Sequence, residues 1–467
     1  MTPTPTPTQA IDRLIRDPAA RIHFVGIGGT GMSALAHGRA MMGGTTSGSD
    51  RDFDRNPDSA ERRRCQKLGI AVYTQDGSGV PNAAALVYST AVETSIPDMA
   101  RAVDLGTPLI HRSAWLAAWV RSRRTVAITG TSGKSTTVAM TFEALRGAGM
   151  DPGVISGGDL RCLQLDGARG NVHVGTGPLV IESDESDSSC TEYEPAITVI
   201  LNLQRDHHDE ATLLRVFRDC VARTRQRVLV SADPALDPLR EGAITFGNQA
   251  VSSLAATSVE CLADRSRFFF AGVRVDLPLP GAHNVDNAVA ALAVVATLGG
   301  DLRKAAEALA HFRGVARRFE VLGRRGELEV VDDFAHNAAK ISAAVKTAQL
   351  RSPRVVAFWQ PHGFKPTRDF RRDLVEAFAT TIRPSDIVVL PEIYYAGGQA
   401  TRDISSADLC NDLIAKGIDA RFLAQRDAIV ETVRSLPEGP ACILLMAARD
   451  PSFRSFAEGV AKELTTA

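Results

Sequence analysis

The chain has 467 residues, of which 44% are hydrophobic and 23% are charged, and its formal net charge is -1. This length predicts two to four domains, and the near-neutral charge gives no electrostatic basis for binding nucleic acid or an anionic membrane. No apolar run approaches the roughly 20 residues of a membrane span. The seven cysteines are scattered without a Cys-x-x-Cys pair, which is typical of reduced thiols. We therefore expect a cytoplasmic protein without nucleic-acid or membrane partners.

The first predicted domain covers residues 1–120 and starts with a flexible tail over residues 1–19. Met1–Gln9 alternates threonine with proline and has neither the basic nor the apolar region of a signal peptide. Short apolar segments then alternate with helix-forming segments, and this alternation predicts a parallel, doubly wound sheet. The predicted strands are Ile22–Val25, Ala85–Tyr88 and Pro108–Ile110, and the predicted helices are Met32–Met41, Pro97–Val103 and Ala114–Val120.

A glycine turn follows the first predicted strand, with the spacing Gly26-x-Gly28-x-x-Gly31. Asp50 lies about twenty residues beyond it, as in the dinucleotide-binding fingerprint. Glycine backbone and a helix start can cradle any pyrophosphate. The fingerprint therefore leaves two interpretations open, namely a nicotinamide-dependent dehydrogenase and a protein that binds another pyrophosphate such as that of UDP.

The second predicted domain covers residues 121–316 and starts with the linker Arg121–Arg124. The apolar strand Thr125–Ile128 precedes Gly130-Thr-Ser-Gly-Lys-Ser135, and the helix-forming run Val138–Gly147 follows. A strand before such a glycine-rich loop and a helix after it are the context of a phosphate-binding loop.

This loop combines two ways of holding phosphate. Its glycines admit backbone N–H groups close to phosphate oxygens, and the helix start adds further donors and the positive end of the helix dipole. Lys134 is expected to neutralise the β- and γ-phosphates, and Ser135 to offer its hydroxyl to magnesium. The sequence therefore predicts that this domain binds ATP.

Acidic segments follow two further strands of the same domain. Glu182–Asp187 comes after the strand Leu179–Ile181, and Asn202–Asp209 comes after Ile197–Leu201. Both should lie at the carboxyl edge of the sheet, beside the phosphate-binding loop. Because Mg²⁺ prefers oxygen ligands, we expect its site there, although either segment alone also fits a solvated acidic turn.

The third predicted domain covers residues 317–467 and is again α/β. Its predicted strands are Leu328–Val331, Val355–Trp359, Ile387–Leu390 and Cys442–Met446, with helices rich in Ala, Leu and Arg between them.

Motifs across most of the chain resemble, in the same order, those of the Mur ligase family. The resemblance is closest to the members that act on UDP-N-acetylmuramate and L-alanine. The motifs are Gly26–Met32, Gly130–Ser135, Glu182–Asp187, Asp206-His207, Leu279–Asn287, Arg317–Phe319, Asp332–His336 and Gln360–His362.

This resemblance implies an α/β protein of three domains. They are an N-terminal Rossmann-like UDP-binding domain, a central P-loop ATPase-like domain, and a C-terminal Rossmann-like domain that binds the amino acid. It also implies ATP and Mg²⁺ as cofactors and a two-step ligation in peptidoglycan precursor synthesis. The lactyl carboxylate of a UDP-N-acetylmuramate-type substrate takes the γ-phosphate, and the amine of an amino acid then displaces phosphate from the acyl phosphate.

The resemblance assigns roles to individual residues. The catalytic residues are Lys134, His207, Arg318 and His336. The ATP-binding residues are Gly130, Thr131, Ser132, Gly133, Lys134, Ser135, Thr136, Asn284, Asn287, Arg318 and Asp333, of which Arg318 and Asp333 would reach the nucleotide across a domain cleft. The substrate-binding residues are Gly28, Gly29, Thr30, Gly31, Asp50, Ser89, Thr90, His111, Arg112 and His362. The metal ligands are Ser135, Glu182 and His207.

From the residues alone, several of these positions have structural alternatives. Asn284 suits a helix N-cap, and His336 suits a structural histidine whose hydrogen bonds are satisfied. The segment Ser89–Val92 also fits a plain turn, and Arg112 fits a surface arginine.

Departures from the family pattern concentrate in the third domain. The family's Asp-Tyr-Ala-His-His-Pro-Thr-Glu is Asp333-Phe-Ala-His-Asn-Ala-Ala-Lys340 here, which loses a hydroxyl, a histidine and an acid. Two family arginines that help to bind substrate anions are Gly363 and Pro366 here, and Lys365 or Arg368 are candidates to replace them. A Gly-Ala-Gly turn is replaced by the segment Met446–Asp450, and alanine cannot adopt positive φ cheaply.

These departures keep several hypotheses open. The first is an ATP-dependent ligase that adds L-alanine or a different acceptor. Others are a muropeptide-recycling ligase, a non-catalytic nucleotide-binding relative, and, least favoured, a dehydrogenase. The oligomeric state is expected to be monomer or dimer.

Overall fold

The structure, a computed structural model, describes residues 6–93, 95–164, 169–185, 188–204, 209–247, 254–395 and 401–466. The chain forms two compact units. The first comprises Met1–Val259, Phe268–Asp276 and Val285–Val315, and the second comprises Glu260–Arg267, Leu277–Asn284 and Ala316–Ala467. Within the described ranges, no helix combines the length and the apolar character needed to cross a membrane.

Helices and strands alternate along the chain. The α-helices are α1 (Pro7–Arg16), α2 (Thr30–Met41), α3 (Arg51–Arg55), α4 (Ala60–Lys67), α5 (Pro97–Asp104), α6 (Arg112–Ser122), α7 (Lys134–Gly147), α8 (Glu210–Ala222), α9 (Ala282–Thr297), α10 (Leu302–Ala310), α11 (Ala338–Arg351), α12 (Phe364–Asp369), α13 (Arg371–Thr381), α14 (Ser406–Ala415), α15 (Ile429–Arg434) and α16 (Phe453–Thr465). The 3-10 helices are Ser189–Glu192, Pro234–Leu239 and Arg426–Ala428.

The strands form three sheets. They are β1 (Ile22–Val25), β2 (Thr46–Ser49), β3 (Ala71–Tyr73), β4 (Ala85–Tyr88), β5 (Leu109–His111), β6 (Thr125–Thr129), β7 (Gly153–Ile155), β8 (Val172–His173), β9 (Leu179–Glu182), β10 (Ile197–Ile200), β11 (Arg227–Ser231), β12 (Ile244–Gly247), β13 (Leu254–Cys261), β14 (Ser266–Phe270), β15 (Val273–Leu277), β16 (Glu320–Arg325), β17 (Leu328–Asp333), β18 (Val355–Gln360), β19 (Ile387–Pro391), β20 (Ala420–Leu423) and β21 (Ala441–Ala447). The predicted α/β fold class is confirmed.

The first sheet has the order β3-β2-β1-β4-β5, and all of its strand pairs are parallel. Its central strand β1 is buried along its whole length and pairs with β2 on one side and β4 on the other. The predicted strands Ile22–Val25 and Ala85–Tyr88 are β1 and β4 without change. An apolar strand that is covered on both faces belongs to a parallel sheet, as the sequence indicated.

Strand β2 has the sequence Thr-Ser-Gly-Ser and was missed by the hydrophobic pattern, although all four of its residues are buried. Ser47 Oγ lies 3.0 Å from His23 Nδ1, and Ser49 Oγ donates to the Asp98 carboxylate. A Cβ on Gly48 would lie 2.6 Å from Ile27 Cδ1. Hydrogen bonds and close packing therefore hold this polar strand in the sheet.

The expected flexible tail over residues 1–19 is wrong for its described part, because Pro7–Arg16 forms helix α1. Thr6 and Gln9 make a capping box at its start, in which each side chain bonds the backbone N–H of the other residue. Ile11, Leu14 and Ile15 pack against the buried core of the first sheet. Three apolar residues on one face supply the burial that keeps this segment helical.

The second sheet has the order β15-β14-β13-β12-β11-β10-β6-β9-β7-β8. Its middle strands β10, β6 and β9 are parallel neighbours. Ala127, Ile155, Leu179 and Ile181 belong to the same buried cluster as residues of β1 and α6, so the first two sheets share a core. The predicted linker at Arg121–Arg124 is shorter than expected, because α6 continues through Ser122.

The third sheet lies in the second unit and has the order β16-β17-β21-β18-β19-β20. Strand β16 is antiparallel to β17, and the remaining pairs are parallel. Buried clusters cover both faces of its strands, and all seven residues of β21 are buried. The four predicted strands of this domain are all present, each longer by one or two residues.

His37 on α2 is a buried histidine with a strongly lowered pKa. Its side chain is fully buried, and Nε2 lies 3.3 Å from Cys65 Sγ and 3.7 Å from Glu61 Oε1. Burial, aided by the positive charges of Arg64 and Arg169, lowers the pKa of His37 to about 3. The ring is therefore neutral in the folded protein, whereas it titrates near pH 6.5 when unfolded.

This depressed pKa predicts a specific loss of stability in acid. Above pH 6.5 the His37 ring binds no proton in either the folded or the unfolded protein, so it does not lower the free energy of unfolding. Between pH 6.5 and 3 only the unfolded protein binds the proton, so acid favours unfolding. Relative to His37→Gln, the wild type should lose about 1.4 kcal/mol of unfolding free energy per pH unit below 6.5. Denaturant unfolding between pH 7.5 and 4.5 measures the difference.

The matched control is His311→Gln, at an exposed histidine of the same unit. It should show the same pH dependence as the wild type. Parallel curves for the wild type and His37→Gln would contradict the assignment of the proton to His37.

Candidate nucleotide and acceptor sites

The phosphate-binding loop lies between β6 and α7, as predicted. Gly133 has φ 83°, in the left-handed region, immediately before the first helical residue Lys134. A Cβ on Gly133 would lie 2.4 Å from Asn287 Oδ1. Both backbone conformation and space therefore require glycine at this position. The helix start leaves backbone N–H groups available for an anion at the loop.

Lys134 is held in this loop by backbone and acidic partners. Its Nζ donates to the Gly130 carbonyl over 2.9 Å and to Glu185 Oε2 over 2.7 Å, and it lies 3.6 Å from Asp184 Oδ1. Burial disfavours the ammonium, but the charges of Glu185 and Asp184 outweigh burial, and the pKa of Lys134 is raised. Lys134 is thus a fixed positive charge at the point where a phosphate would bind.

Asn202 is a residue of this site to which the sequence analysis gave no role. Its Oδ1 accepts from Thr131 Oγ1 and from the Ser132 backbone N–H, each over 2.9 Å, and its Nδ2 donates to the Ser132 carbonyl over 3.0 Å. The sequence feature that could have identified Asn202 is an amide just beyond strand β10, because β10 neighbours β6 in the sheet. Asn202 therefore holds Thr131 and Ser132 of the loop in place.

Two of the predicted metal ligands are adjacent. Ser135 Oγ donates to Glu182 Oε1 over 3.1 Å, and Glu182 Oε2 accepts from the Gly157 backbone N–H over 2.8 Å. A hydroxyl and a carboxylate are oxygen ligands of the kind that Mg²⁺ takes, so this pair fits the metal. The third predicted ligand, His207, lies outside the described residues. Among those described, no three His, Cys, Asp or Glu side chains form a metal-holding group by themselves.

The two asparagines predicted to bind ATP occupy different surroundings. Asn287 is buried, and its Oδ1 accepts from Thr137 Oγ1 over 3.1 Å, directly behind the phosphate-binding loop. Asn284 donates from Nδ2 to the Pro280 carbonyl over 2.8 Å. Helix α9 begins at Ala282, so the N-cap alternative for Asn284 is wrong. Thr136, predicted to bind ATP, is buried in the first turn of α7.

The three predicted UDP-binding segments come together at the carboxyl edge of the first sheet. The Gly28 N–H donates to Asp50 Oδ2 over 2.8 Å, so this carboxylate holds the glycine turn and also caps α3. A Cβ on Gly31 would lie 3.2 Å from Arg112 Nη1, and one on Gly26 would lie 3.5 Å from the Val92 side chain. Ser89 and Thr90 precede Val92 in the second segment, where the Ser89 carbonyl accepts from the Val92 N–H.

Two residues just before β8 of the second sheet also reach this glycine turn. Arg169 Nη1 donates to Thr30 Oγ1 over 2.8 Å, and Asn171 Nδ2 donates to the Thr30 carbonyl over 2.7 Å. Gly29, which precedes Thr30, is the N-cap residue of α2. His111 caps α6 by accepting from the Ser113 N–H, which gives this predicted substrate-binding residue a structural role as well.

In the second unit, Asp333 organises the turn that carries Arg318. Its Oδ2 accepts from the Phe319 N–H over 2.7 Å, and its Oδ1 accepts from the Ala335 N–H over 2.8 Å. Burial raises the pKa of Asp333, although the charge of Arg318 opposes this. The Arg318 guanidinium lies 5.0 Å from the centre of the Phe334 ring, within cation–π range.

His336 and His362 lie together in the second unit, with ring centres 5.6 Å apart. His336 Nδ1 donates to the Phe334 carbonyl over 2.9 Å, and Lys340 Nζ lies 3.4 Å from its Nε2. His362 is fixed by bridge pairing with Tyr394, whose N–H donates to the Pro361 carbonyl. The turn at Met446–Asp450 places its left-handed residue at Arg449, with φ 60°, rather than at an alanine.

The phosphate-binding loop, the glycine turn and the histidine pair follow strands of predominantly parallel sheets, and the comparisons with known proteins place the chain in a family. Residues 21–124 match the model described as "Mur ligase family, catalytic domain". Residues 128–295 match "Mur ligase middle domain", and residues 317–449 match "Mur ligase, glutamate ligase domain". The chain belongs to the Mur ligase family and is thus an ATP-dependent ligase.

Several individual proteins are similar to this chain over most of its length. The chain is 32% identical over 455 residues to the UDP-N-acetylmuramate–L-alanine ligase of Burkholderia ambifaria, covering 92% of this chain and 95% of that one. It is 34% identical over 438 residues to the ligase of the same name from Oleidesulfovibrio alaskensis, covering 89% and 93%. The crystal structure of the UDP-N-acetylmuramate–alanine ligase of Thermotoga maritima matches with a TM-score of 0.76 and 26% identity, over 95% and 98% of the two chains.

The contacts of Asn202 predict that it is needed for nucleotide affinity. Asn202→Ala removes three hydrogen bonds from Thr131 and Ser132, each worth about 0.5–1.5 kcal/mol, so ATP should bind roughly 10-fold more weakly. Asn202→Asp keeps the acceptor, but it loses the donor to Ser132 and adds a negative charge beside the phosphates, so it should bind ATP at least as weakly as the alanine variant. Isothermal titration with a non-hydrolysable ATP analogue measures the affinities; unchanged affinity in Asn202→Ala would refute this role.

Proposed function

We propose that this protein is an ATP-dependent ligase that joins L-alanine to the lactyl carboxylate of UDP-N-acetylmuramate, a step of peptidoglycan precursor synthesis. The observation that carries the proposal is the loop centred on Lys134, which combines a largely buried ammonium, a helix start and the Ser135–Glu182 pair. Relatives that cover nine-tenths of the chain and bear this activity in their names support the substrates. The free state of all seven cysteines supports a reducing, cytoplasmic compartment.

The physical problem of this reaction is that a carboxylate is a poor acyl donor. Transfer of the γ-phosphate forms a new bond from the carboxylate oxygen to phosphorus and breaks the bond from phosphorus to the ADP oxygen. In this step Lys134 would neutralise charge on the phosphates, and the backbone N–H groups of the loop would orient them. Glu185 and Asp184, which now hold Lys134, would be replaced by phosphate oxygens of the same charge sign.

Magnesium belongs to the proposal as the partner of ATP. Ser135 and Glu182 would hold it, with His207 as the third predicted ligand, and when bound it would supply positive charge to the phosphates. The Gly157 N–H keeps the Glu182 carboxylate oriented toward Ser135.

The substrates would occupy separate parts of the chain. The glycine turn, Asp50 and Arg112 would bind the UDP portion, since donors and a guanidinium gather there around an exposed helix start. The acceptor amino acid would bind in the second unit near His336 and His362. Its amine attacks the activated carbonyl and the new C–N bond forms. Phosphate leaves with the electrons of the C–O bond, and the nitrogen releases a proton to solvent.

The experiment that tests the function is phosphate release from ATP, measured with UDP-N-acetylmuramate and each amino acid in turn, with mass analysis of the product. With L-alanine, phosphate release should depend on both the amino acid and UDP-N-acetylmuramate. The product should be heavier than UDP-N-acetylmuramate by one alanyl residue. If phosphate is released only with another amino acid or with a peptide, L-alanine is not the acceptor and that compound takes its place in the proposed reaction. An absence of phosphate release under every pairing would leave a nucleotide-binding protein instead of an enzyme.

Lys134→Ala should reduce this substrate-dependent phosphate release by at least about 100- to 1,000-fold, because the fixed positive charge at the transferred phosphate is lost. The matched control is Lys304→Ala, at an exposed lysine of α10, which should retain normal turnover. Steady-state rates at saturating substrates measure both. Retained turnover in Lys134→Ala would show that the loop does not act on the phosphate.

A further inference from the structure

The segment that leads into β8 brings Arg169 and Asn171 to the glycine turn of the first sheet. Its backbone is fixed, since the Leu160 N–H donates to the Gly170 carbonyl over 3.0 Å and the Ser156 N–H donates to the Asn171 carbonyl over 2.9 Å. A Cβ on Gly170 would lie 2.3 Å from the Leu160 carbonyl oxygen, so the segment needs glycine there. The position of Arg169 is therefore set by the second sheet and its loops.

The guanidinium of Arg169 lies at the first turn of α2. Its Nη1 donates to Thr30 Oγ1 over 2.8 Å, and Thr30 is the first residue of this helix. Asn171 holds the same residue by donating from Nδ2 to the Thr30 carbonyl over 2.7 Å. The Arg169 side chain is 35% exposed, so a ligand at the helix start can reach it. The backbone N–H groups of the first helical turn are donors at the same place.

The guanidinium retains donors for an anion. Among the described residues, its hydrogen bond to Thr30 and its ion pair with Asp159 both use Nη1, which leaves the N–H groups of Nε and Nη2. Asp159 Oδ2 lies 3.7 Å away, so this carboxylate balances the positive charge without a direct hydrogen bond. Glu61 accepts from the backbone N–H of Arg169 over 3.2 Å. The nearby acids therefore hold Arg169 in place without using all of its donors.

A second guanidinium approaches the same turn. A Cβ on Gly31 would lie 3.2 Å from Arg112 Nη1, and Arg112 begins α6. Asp50, an acid at this turn, accepts from the Gly28 N–H. Two guanidinium groups from different sheets thus meet at the start of one helix. Planar donor forks and helix-start N–H groups together match the several oxygens of a diphosphate.

We propose that Arg169 binds the diphosphate of the UDP-sugar, so that a residue carried by the second sheet completes the binding site on the first. This inference rests on the proposed ligase function and adds a specificity-determining residue to its nucleotide-sugar site. The other anion of that substrate, the lactyl carboxylate, has to meet the γ-phosphate at Lys134 in the proposed reaction. The diphosphate is therefore the anion that belongs at the glycine turn.

The test measures the affinity for UDP and for UDP-N-acetylmuramate by isothermal titration, with the ATP site saturated by a non-hydrolysable ATP analogue. Arg169→Gln should weaken both ligands by about 10- to 100-fold, the worth of a hydrogen bond to a charged group, because both carry the diphosphate. The affinity for the ATP analogue itself should stay within about twofold. Added salt should weaken UDP binding less in Arg169→Gln than in the wild type, because one charge pair with the ligand is lost.

Two further variants separate charge from structure. Arg169→Lys keeps the charge and should recover much of the affinity for UDP. Arg218→Gln removes an exposed arginine of α8 in the same unit and should bind UDP as the wild type does. A merely structural role for Arg169 would leave the salt dependence of UDP binding as it is in the wild type, which would contradict the inference.

The outcomes distinguish this inference from the function beneath it. Wild-type affinity for UDP that does not change with salt overturns the inference, whether or not any variant folds. Unchanged UDP affinity in Arg169→Gln also overturns it and leaves the ligase function standing. Weaker binding of UDP-N-acetylmuramate alone would assign Arg169 to the lactyl carboxylate and overturn its assignment to the diphosphate. Wild-type protein that binds neither ligand overturns the proposed substrate and the inference together.

Discussion

The parallel pairing of β6 with β9 and β10 is the constraint on which the nucleotide site depends. Ile128 pairs with Glu182 and Thr129 pairs with Ile200, so three loops leave the sheet at the same edge. One brings the phosphate-binding residues, one brings Glu182 and Glu185, and one brings Asn202. Without this register, Ser135 and Glu182 would not meet, because 47 residues separate them along the chain. Backbone pairing therefore sets the distances within the site more than any side-chain contact does.

Charge is balanced around Lys134 before any phosphate arrives. A buried ammonium is unfavourable by itself, and here Glu185 and Asp184 compensate for the lost hydration. Binding of ATP would exchange these carboxylates for phosphate oxygens. The carboxylates therefore keep Lys134 in the position where it would bind phosphate, but they compete with the phosphate for its charge. Holding the lysine in this position beforehand is a form of preorganisation.

The second unit departs from the family pattern in the placement of its basic side chains. Gly363 and Pro366 stand where the family pattern implied by the resemblance has arginines, and the nearby Lys365 and Arg368 pair with surface acids. Lys340 stands where that pattern has an acid, and its Nζ lies 3.4 Å from His336 Nε2. A changed residue in a motif does not by itself remove a function, because its contacts depend on the neighbours that the folded chain supplies.

The sequence by itself determined the α/β class, the order of most buried strands and the phosphate-binding loop. These follow from local signals, since apolar segments form strands and the residues of Gly130–Ser135 are contiguous. It could not determine the polar strand β2, which is held by His23 and Asp98, or the ordered helix α1, whose apolar face needs a distant core. Only the tertiary structure decided that Asn202 fixes the loop, that Asp50 holds the glycine turn and that Lys340 faces His336. Those roles depend on which neighbours the folded chain supplies, and neither composition nor spacing along the chain encodes that proximity.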